Sequence, residues 1–168
     1  MKVIAVMLVM SFSLYSGFAQ DMSKRASPLD STSATIGDAE VHIIYSRPSK
    51  KGREIFGGLV PYDKIWRTGA NEATVFRVNE KVRVGGEALP AGEYALFTIP
   101  GKEEWTIIFN KQAEQWGAYR YDKEQDQLRI TVPVESTKQM EMFTIKAENN
   151  GKIHLMWDET KVAFEIQP

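Results

Sequence analysis

The chain has 168 residues, 43% of them hydrophobic, with 21 basic residues against 22 acidic, two histidines and no cysteine. A formal net charge of −1 offers no electrostatic case for nucleic acid or an anionic membrane surface as partner. The missing thiol excludes disulfides, a lipid-modified cysteine and thiolate metal sites, so the fold must rest on its apolar core.

Residues 1–20 read as a secretory signal peptide: Lys2 supplies the positive start, residues 3–10 the apolar run, and Gly17, Phe18, Ala19 and Gln20 a cleavage region before Asp21. A spanning helix needs roughly 18 uninterrupted apolar residues, and Ser11, Ser13 and Ser16 break this one. The expected location is therefore periplasmic or secreted, with no membrane anchor after cleavage. Residues 21–33 are polar and read as a flexible N-terminal segment. Residues 34–168 read as a single domain of ordinary size.

The remaining chain is read as strands and turns. A short strand is expected at 34–37, then one through Val41, His42, Ile43, Ile44 and Tyr45, ended by Arg47-Pro48. Residues 49–63 are irregular, with room for one helical turn near Arg53, and Ile65, Trp66 and Arg67 resume a strand. Asn79-Glu80 is placed to join strands 73–78 and 81–84 as a hairpin, and Gly85-Gly86 is a clearer turn. Strands follow at 93–99 and 104–110, where Trp105, Ile107 and Phe109 share one parity. Residues 111–122 are a second irregular stretch.

Leu128, Ile130 and Val132 alternate up to Pro133, which should end that strand. Residues 141–147 alternate again, but Met140 and Met142 sit on the other parity, so a β-bulge is expected near Met142-Phe143. Asn149-Asn150-Gly151 is a strong hairpin turn into Ile153, Leu155 and Trp157, and residues 158–160 turn the chain into a last strand through Val162, Phe164 and Ile166. No segment shows sustained helical periodicity. About ten short strands with short links predict an all-β protein, an antiparallel β-sandwich or flattened barrel.

Residues 45–74 (YSRPSKKGREIFGGLVPYDKIWRTGANEAT) stand apart from this pattern. From position 47 to position 72 the six basic residues Arg47, Lys50, Lys51, Arg53, Lys64 and Arg67 outnumber Glu54, Asp63 and Glu72, a local charge of +3 in a net-acidic chain. Tyr45, Phe56, Tyr62 and Trp66 are interspersed. Arginine's planar fork suits carboxylate, sulfate or phosphate, so Arg47, Lys51, Arg53 and Arg67 are candidate anion ligands. Trp116, Tyr119 and Tyr121, in the second irregular stretch, are candidates for stacking on a sugar ring. The same residues also suit a structural clasp, in which Arg47 or Arg67 pairs with Glu72, Asn71 bonds loop backbone, and Trp66 and Trp116 plug the core.

Other chemistry finds little support. His42 and His154 lie on different strands without ligand spacing, so no metal site is expected, and the Asp122-Lys123-Glu124-Gln125-Asp126 run lacks EF-hand spacing. There is no nucleophile elbow, no phosphate loop and no cofactor motif. Glycoside hydrolysis would require Glu72 and a second carboxylate.

Through residues 45–74, and again through LPAGEYALFTIPGKEEWTIIFN and QWGAYRYDKEQDQLRITV, the chain closely resembles the exported bacterial family called domain of unknown function 2911. The resemblance covers residues 27–168. It implies one exported β-rich domain and carries no catalytic residue. The leading expectation is a non-enzymatic exported domain that binds a glycan, a small anion or an envelope protein, with residues 47–72 and 116–121 lining one shared site. The alternatives are a glycan-directed hydrolase using Glu72 and a structural envelope or assembly module.

Overall fold

The computed structural model describes residues 25–168. The signal peptide expected over 1–20 lies outside the described residues. Among the described residues nine strands form: β1 (Leu29–Ile36), β2 (Ala39–Ser46), β3 (Thr74–Val78), β4 (Val82–Val84), β5 (Glu87–Leu89), β6 (Gly92–Pro100), β7 (Glu104–Asn110), β8 (Asp126–Ala147) and β9 (Lys152–Gln167). They make one antiparallel sheet in the order β1-β2-β3-β6-β7-β8-β9-β4-β5. The only helix among the described residues is a 3-10 turn at Lys123–Gln125, capped by the Asp122 carboxylate, and it is too short to cross a membrane.

The sheet becomes a sandwich because β8 belongs to both layers. Its first part pairs with β7 from Asp126 through Pro133, and its second part pairs with β9 from Val134 through Ala147. Pro133 does not end the strand as expected. It stands opposite Glu104, the first residue of β7, where that pairing stops and the missing N–H has little left to bond. Register shifts between Ser136 and Met140, and between Met140 and Thr144, bend the strand further. The second shift contains the bulge expected at Met142-Phe143. β9 likewise runs through the expected turn at 158–160, and Asp158 takes a positive φ of 53°.

Two other links differ from expectation. Residues 73–78 and 82–84 do not form a hairpin: β3 pairs with β2 and β6, whereas β4 pairs with β5 and β9 in the other layer. The hairpin at Gly85-Gly86 does form, with φ of 58° and 86°, values that favour glycine. Strand pairing also begins earlier than the flexible segment 21–33 allows. Leu29 already faces Ser46, and Thr32 accepts the Ala147 N–H at 3.0 Å. Polar side chains conceal this edge strand because they bond across the sandwich instead of filling it.

The core has two aromatic centres. Phe109 meets Phe76 at 5.0 Å and Phe164 at 5.8 Å near one end. At the other end Phe56, Trp66, Trp105, Phe143 and Trp157 form a cluster of mutually edge-on rings, with Trp66 and Trp157 nearly parallel at 6.0 Å and 18°. β6 is buried on both faces because residues of the second irregular stretch, Ala118 and Tyr121, cover Ala95, Phe97 and Ile108 from outside. Truncating Phe143 to alanine removes contacts shared by both layers. Chemical denaturation should show a loss of about 3–5 kcal/mol for Phe143→Ala.

Candidate functional site

The crossover 47–73 joins two neighbouring strands by a detour across the end of the sandwich. Its first part is a clasp. The Arg47 guanidinium donates to the Phe143 carbonyl at 3.1 Å, to Thr144 Oγ1 at 2.9 Å and to Asp30 at 3.1 Å. The Lys50 N–H donates to the Glu141 carbonyl at 2.7 Å, and Phe143 N–H donates back to Pro48 at 2.9 Å. Lys50 also bonds Asp158 at 2.6 Å. Arg53 folds back on its own turn, donating to the Ser49 and Lys50 carbonyls.

The second part is held by Trp66. Its N–H and carbonyl exchange hydrogen bonds with Thr98 on β6 at 2.8 and 2.9 Å, beyond the point where β3 begins. Its indole N–H donates to the Gly69 carbonyl at 3.1 Å. A sharp bend follows, with positive φ at Thr68 (56°), Gly69 (152°) and Asn71 (59°). A left-handed β-branched residue is strained. Thr68 is held there, fully buried, by bonds from its hydroxyl to Thr98 and from the Thr74 hydroxyl to its carbonyl at 2.6 Å. At Gly69 an added Cβ would lie 2.8 Å from the Ser46 carbonyl oxygen.

Between these two parts lies a cleft of about 390 Å³. Five of the residues singled out from the sequence line it: Lys51, Arg53, Trp66, Arg67 and Asn71. Trp157 and Ser49 line it too, and Ala26 and Ser27 form one wall. Arg67 Nε is buried without a hydrogen-bond partner among the described residues. In most folded proteins such a donor is satisfied, so this one marks where an acceptor is wanted.

The other five candidates lie elsewhere. Arg47 belongs to the clasp. Glu72 does not pair with Arg47 or Arg67; its carboxylate takes a bidentate pair of hydrogen bonds from Arg25 at 2.7 and 2.8 Å. The expected pairing fails because residue 72 has already turned toward the second irregular stretch, where Gly117 N–H donates to Asn71 and Ala73 N–H donates to Gln115. Trp116 lines a separate cleft with Glu72 and Glu114, and at 61% exposure it is no core plug; Tyr119 is 86% exposed. Tyr121 is tied down structurally. Its ring packs on Phe97 at 5.1 Å, its hydroxyl donates to Asp126 at 2.6 Å, and Arg129 donates to both groups. Burial and the adjacent Asp126 carboxylate push the Tyr121 phenol up to about 12.

Sequence reasoning missed Arg25, Ser27 and Trp157. Trp157 shares the buried parity of Ile153 and Leu155 on β9 and was legible as core, though not as a wall of this cleft. Arg25 and Ser27 lie in a polar stretch that carries no periodic signal. The described residues hold no group of three acidic or histidine side chains able to bind a metal ion.

The chain matches the family described as "Protein of unknown function (DUF2911)" over residues 27–166. It belongs to that family. The match takes in the crossover, all of the strands but the last residue of β9, and every lining residue of the cleft except Ala26. No curated protein and no solved structure matches the chain.

The hydrogen bonds from Arg25 hold the Glu72 carboxyl below its ordinary value. A depressed carboxylate contributes stability above its unfolded value, and that contribution is lost as pH falls through the folded one. Urea midpoints of the wild type should therefore fall more steeply than those of Glu72→Gln below about pH 4.5 and run parallel to them near neutrality; parallel curves throughout would remove the Arg25 pairing from the stability of the fold.

Proposed function

We propose that this chain is an exported, non-enzymatic domain that binds a small anionic ligand in the cleft beside Trp66. The observation that carries the reading is the buried, unpartnered Nε of Arg67 in a cleft also lined by Lys51 and Asn71. A carboxylate, phosphate or sulfate oxygen would satisfy that donor once the guanidinium turns it toward the cleft. Lys51 adds positive charge at the rim, and Asn71 offers an amide for a neighbouring oxygen. The Trp66 and Trp157 indoles form a rigid apolar wall, suited to the carbon skeleton that carries the anion. Local positive charge on a net-acidic chain also favours capture of anions over cations. Location in the periplasm or outside the cell remains part of this proposal, resting on the N-terminal sequence.

The hydrolase alternative has weaker support. Glu72 and Glu114 line one cleft with Trp116, but the Arg25 pair holds Glu72 ionised, which removes it as the acid, and engages both of its oxygens, which hinders it as a base.

The two roles of the crossover arginines can be separated by melting curves with phosphate, sulfate, citrate and glucuronate as probes. A probe at a hundred times its Kd stabilises by about 2.7 kcal/mol, several degrees for a domain of this size. At least one probe should shift the wild type and fail to shift Arg67→Ala, whose own melting stays within about 1 kcal/mol of wild type. Arg47→Ala should lose about 2–3 kcal/mol without probe and still respond to it. An Arg67→Ala protein that keeps the full shift, or a wild type that responds to none of the four, would sink the reading.

A further inference from the structure

The segment 25–28 is attached in an uneven way. Its C-terminal end is a firm hinge: Arg47 N–H donates to the Pro28 carbonyl at 2.8 Å, and β1 starts at the next residue. Its middle is held loosely, by a long 3.5 Å hydrogen bond from the Asn71 amide to the Ser27 carbonyl. Its first described residue, Arg25, is fastened through the bidentate pair with Glu72, and its side chain is 16% exposed. Ala26 is exposed and Ser27 half-buried, so neither is anchored as a core residue would be. Yet both line the cleft that contains Arg67, Asn71 and Trp66.

We propose that residues 25–28 form a strap over the cleft, hinged at Pro28 and latched by Arg25 on Glu72, and that the latch sets how often the cleft opens. The choice of Glu72 as the catch is what couples the two. Glu72 lines the neighbouring cleft but directly follows Asn71, a lining residue of this one, so the latch fastens the strap next to a residue of the cleft it covers. The Glu72 side chain is 40% exposed, so water competes for the pair and its rupture is local and reversible. Breaking it frees the wall formed by Ala26 and Ser27 while the clasp of Arg47 and the Trp66–Thr98 bonds keep the rest of the site in place. Opening thus widens access to the Arg67 guanidinium without unfolding a strand. What the opening admits rests on the anion reading above; the strap itself stands on the contacts just described.

Because the chain has no cysteine, a single thiol can report the opening directly. Ala70 lines the cleft and is buried, so the labelling rate of Ala70→Cys by the neutral reagent N-ethylmaleimide measures access, with no anion present. In this background Arg25→Ala and Glu72→Gln should each label about three- to tenfold faster, the range expected for loss of a partly exposed charge pair. The two changes alter local charge in opposite senses, so a shared acceleration comes from opening and not from a shifted thiol reactivity. Exchanging the partners, Arg25→Glu with Glu72→Arg, should return the rate to within about twofold of the parent. Arg77→Ala, which breaks the Arg77–Glu93 pair elsewhere on the sheet, should leave it unchanged. Equal rates in all variants, or acceleration by Arg77→Ala as well, would overturn the strap. If Ala70→Cys does not fold, Ser49→Cys in the same cleft takes its place. Labelling that follows the latch while no probe shifts the melting curve would retire the anion reading and keep the strap; the reverse pattern would do the opposite.

Discussion

The pair of backbone hydrogen bonds between Trp66 and Thr98 is the constraint on which the site depends. Residue 66 lies in a long crossover with no strand of its own, and these bonds let it occupy the ladder position beside β6 that β3 has not yet reached. Once the backbone is fixed there, the indole is driven inward to stack on Trp157 and meet Trp105, Phe56 and Phe143 edge-on. The ring belongs to the core and the next residue, Arg67, belongs to the cleft. The strained bend at Thr68 and Gly69 follows from the same anchoring, since the chain must reverse at once to reach β3. Buried hydroxyl bonds and the close packing of the Gly69 backbone on Ser46 hold that bend.

Around this anchor the basic residues divide the work. Arg47 and Lys50 spend their donors on carbonyls and carboxylates of β1, β8 and β9, and so tie the layers together in a domain without cysteine. Arg53 stiffens its own turn. Arg67 has a buried donor left over. A clasp and an open cleft are therefore not competing descriptions of one cluster; they are successive parts of one crossover, distinguished by where each guanidinium finds its acceptors. The acidic partner expected inside the crossover comes instead from outside it, through Arg25 on Glu72.

Much of the fold was legible because its signals are local. Alternation at Trp105, Ile107 and Phe109, and at Ile153, Leu155 and Trp157, reports a strand with one buried face whatever lies opposite. Gly85-Gly86 reports a turn through its positive φ. The bulge near Met142-Phe143 was visible as a change of parity within one segment. Misreadings arose where a local signal was overridden by what packs against it. Pro133 looked like a terminus, but its missing donor sits at the end of the β7 pairing. Asn79-Glu80 looked like a hairpin turn, but the strands on either side of it go to different layers. Residues 29–33 looked mobile because an edge strand can be made of polar side chains that bond across the sandwich.

The cleft divides in the same manner. The composition of 45–74 was enough to single out Lys51, Arg53, Trp66, Arg67 and Asn71, because an excess of cations among aromatics is a property of the chain itself. It could not say which arginine would be satisfied, since that depends on the Phe143 carbonyl and Thr144 hydroxyl of β8, brought nearly a hundred residues along the chain to Arg47. Nor could it tell that Trp116 would stay outside, or that Arg25 would cross to Glu72. By itself the amino-acid sequence determined an all-β, disulfide-free domain with one basic, aromatic crossover. Only the tertiary structure decided which of its charges are used up in holding the sandwich together and which face the cleft, because hydrogen-bond satisfaction is a property of neighbours in space and leaves no periodic trace along the chain.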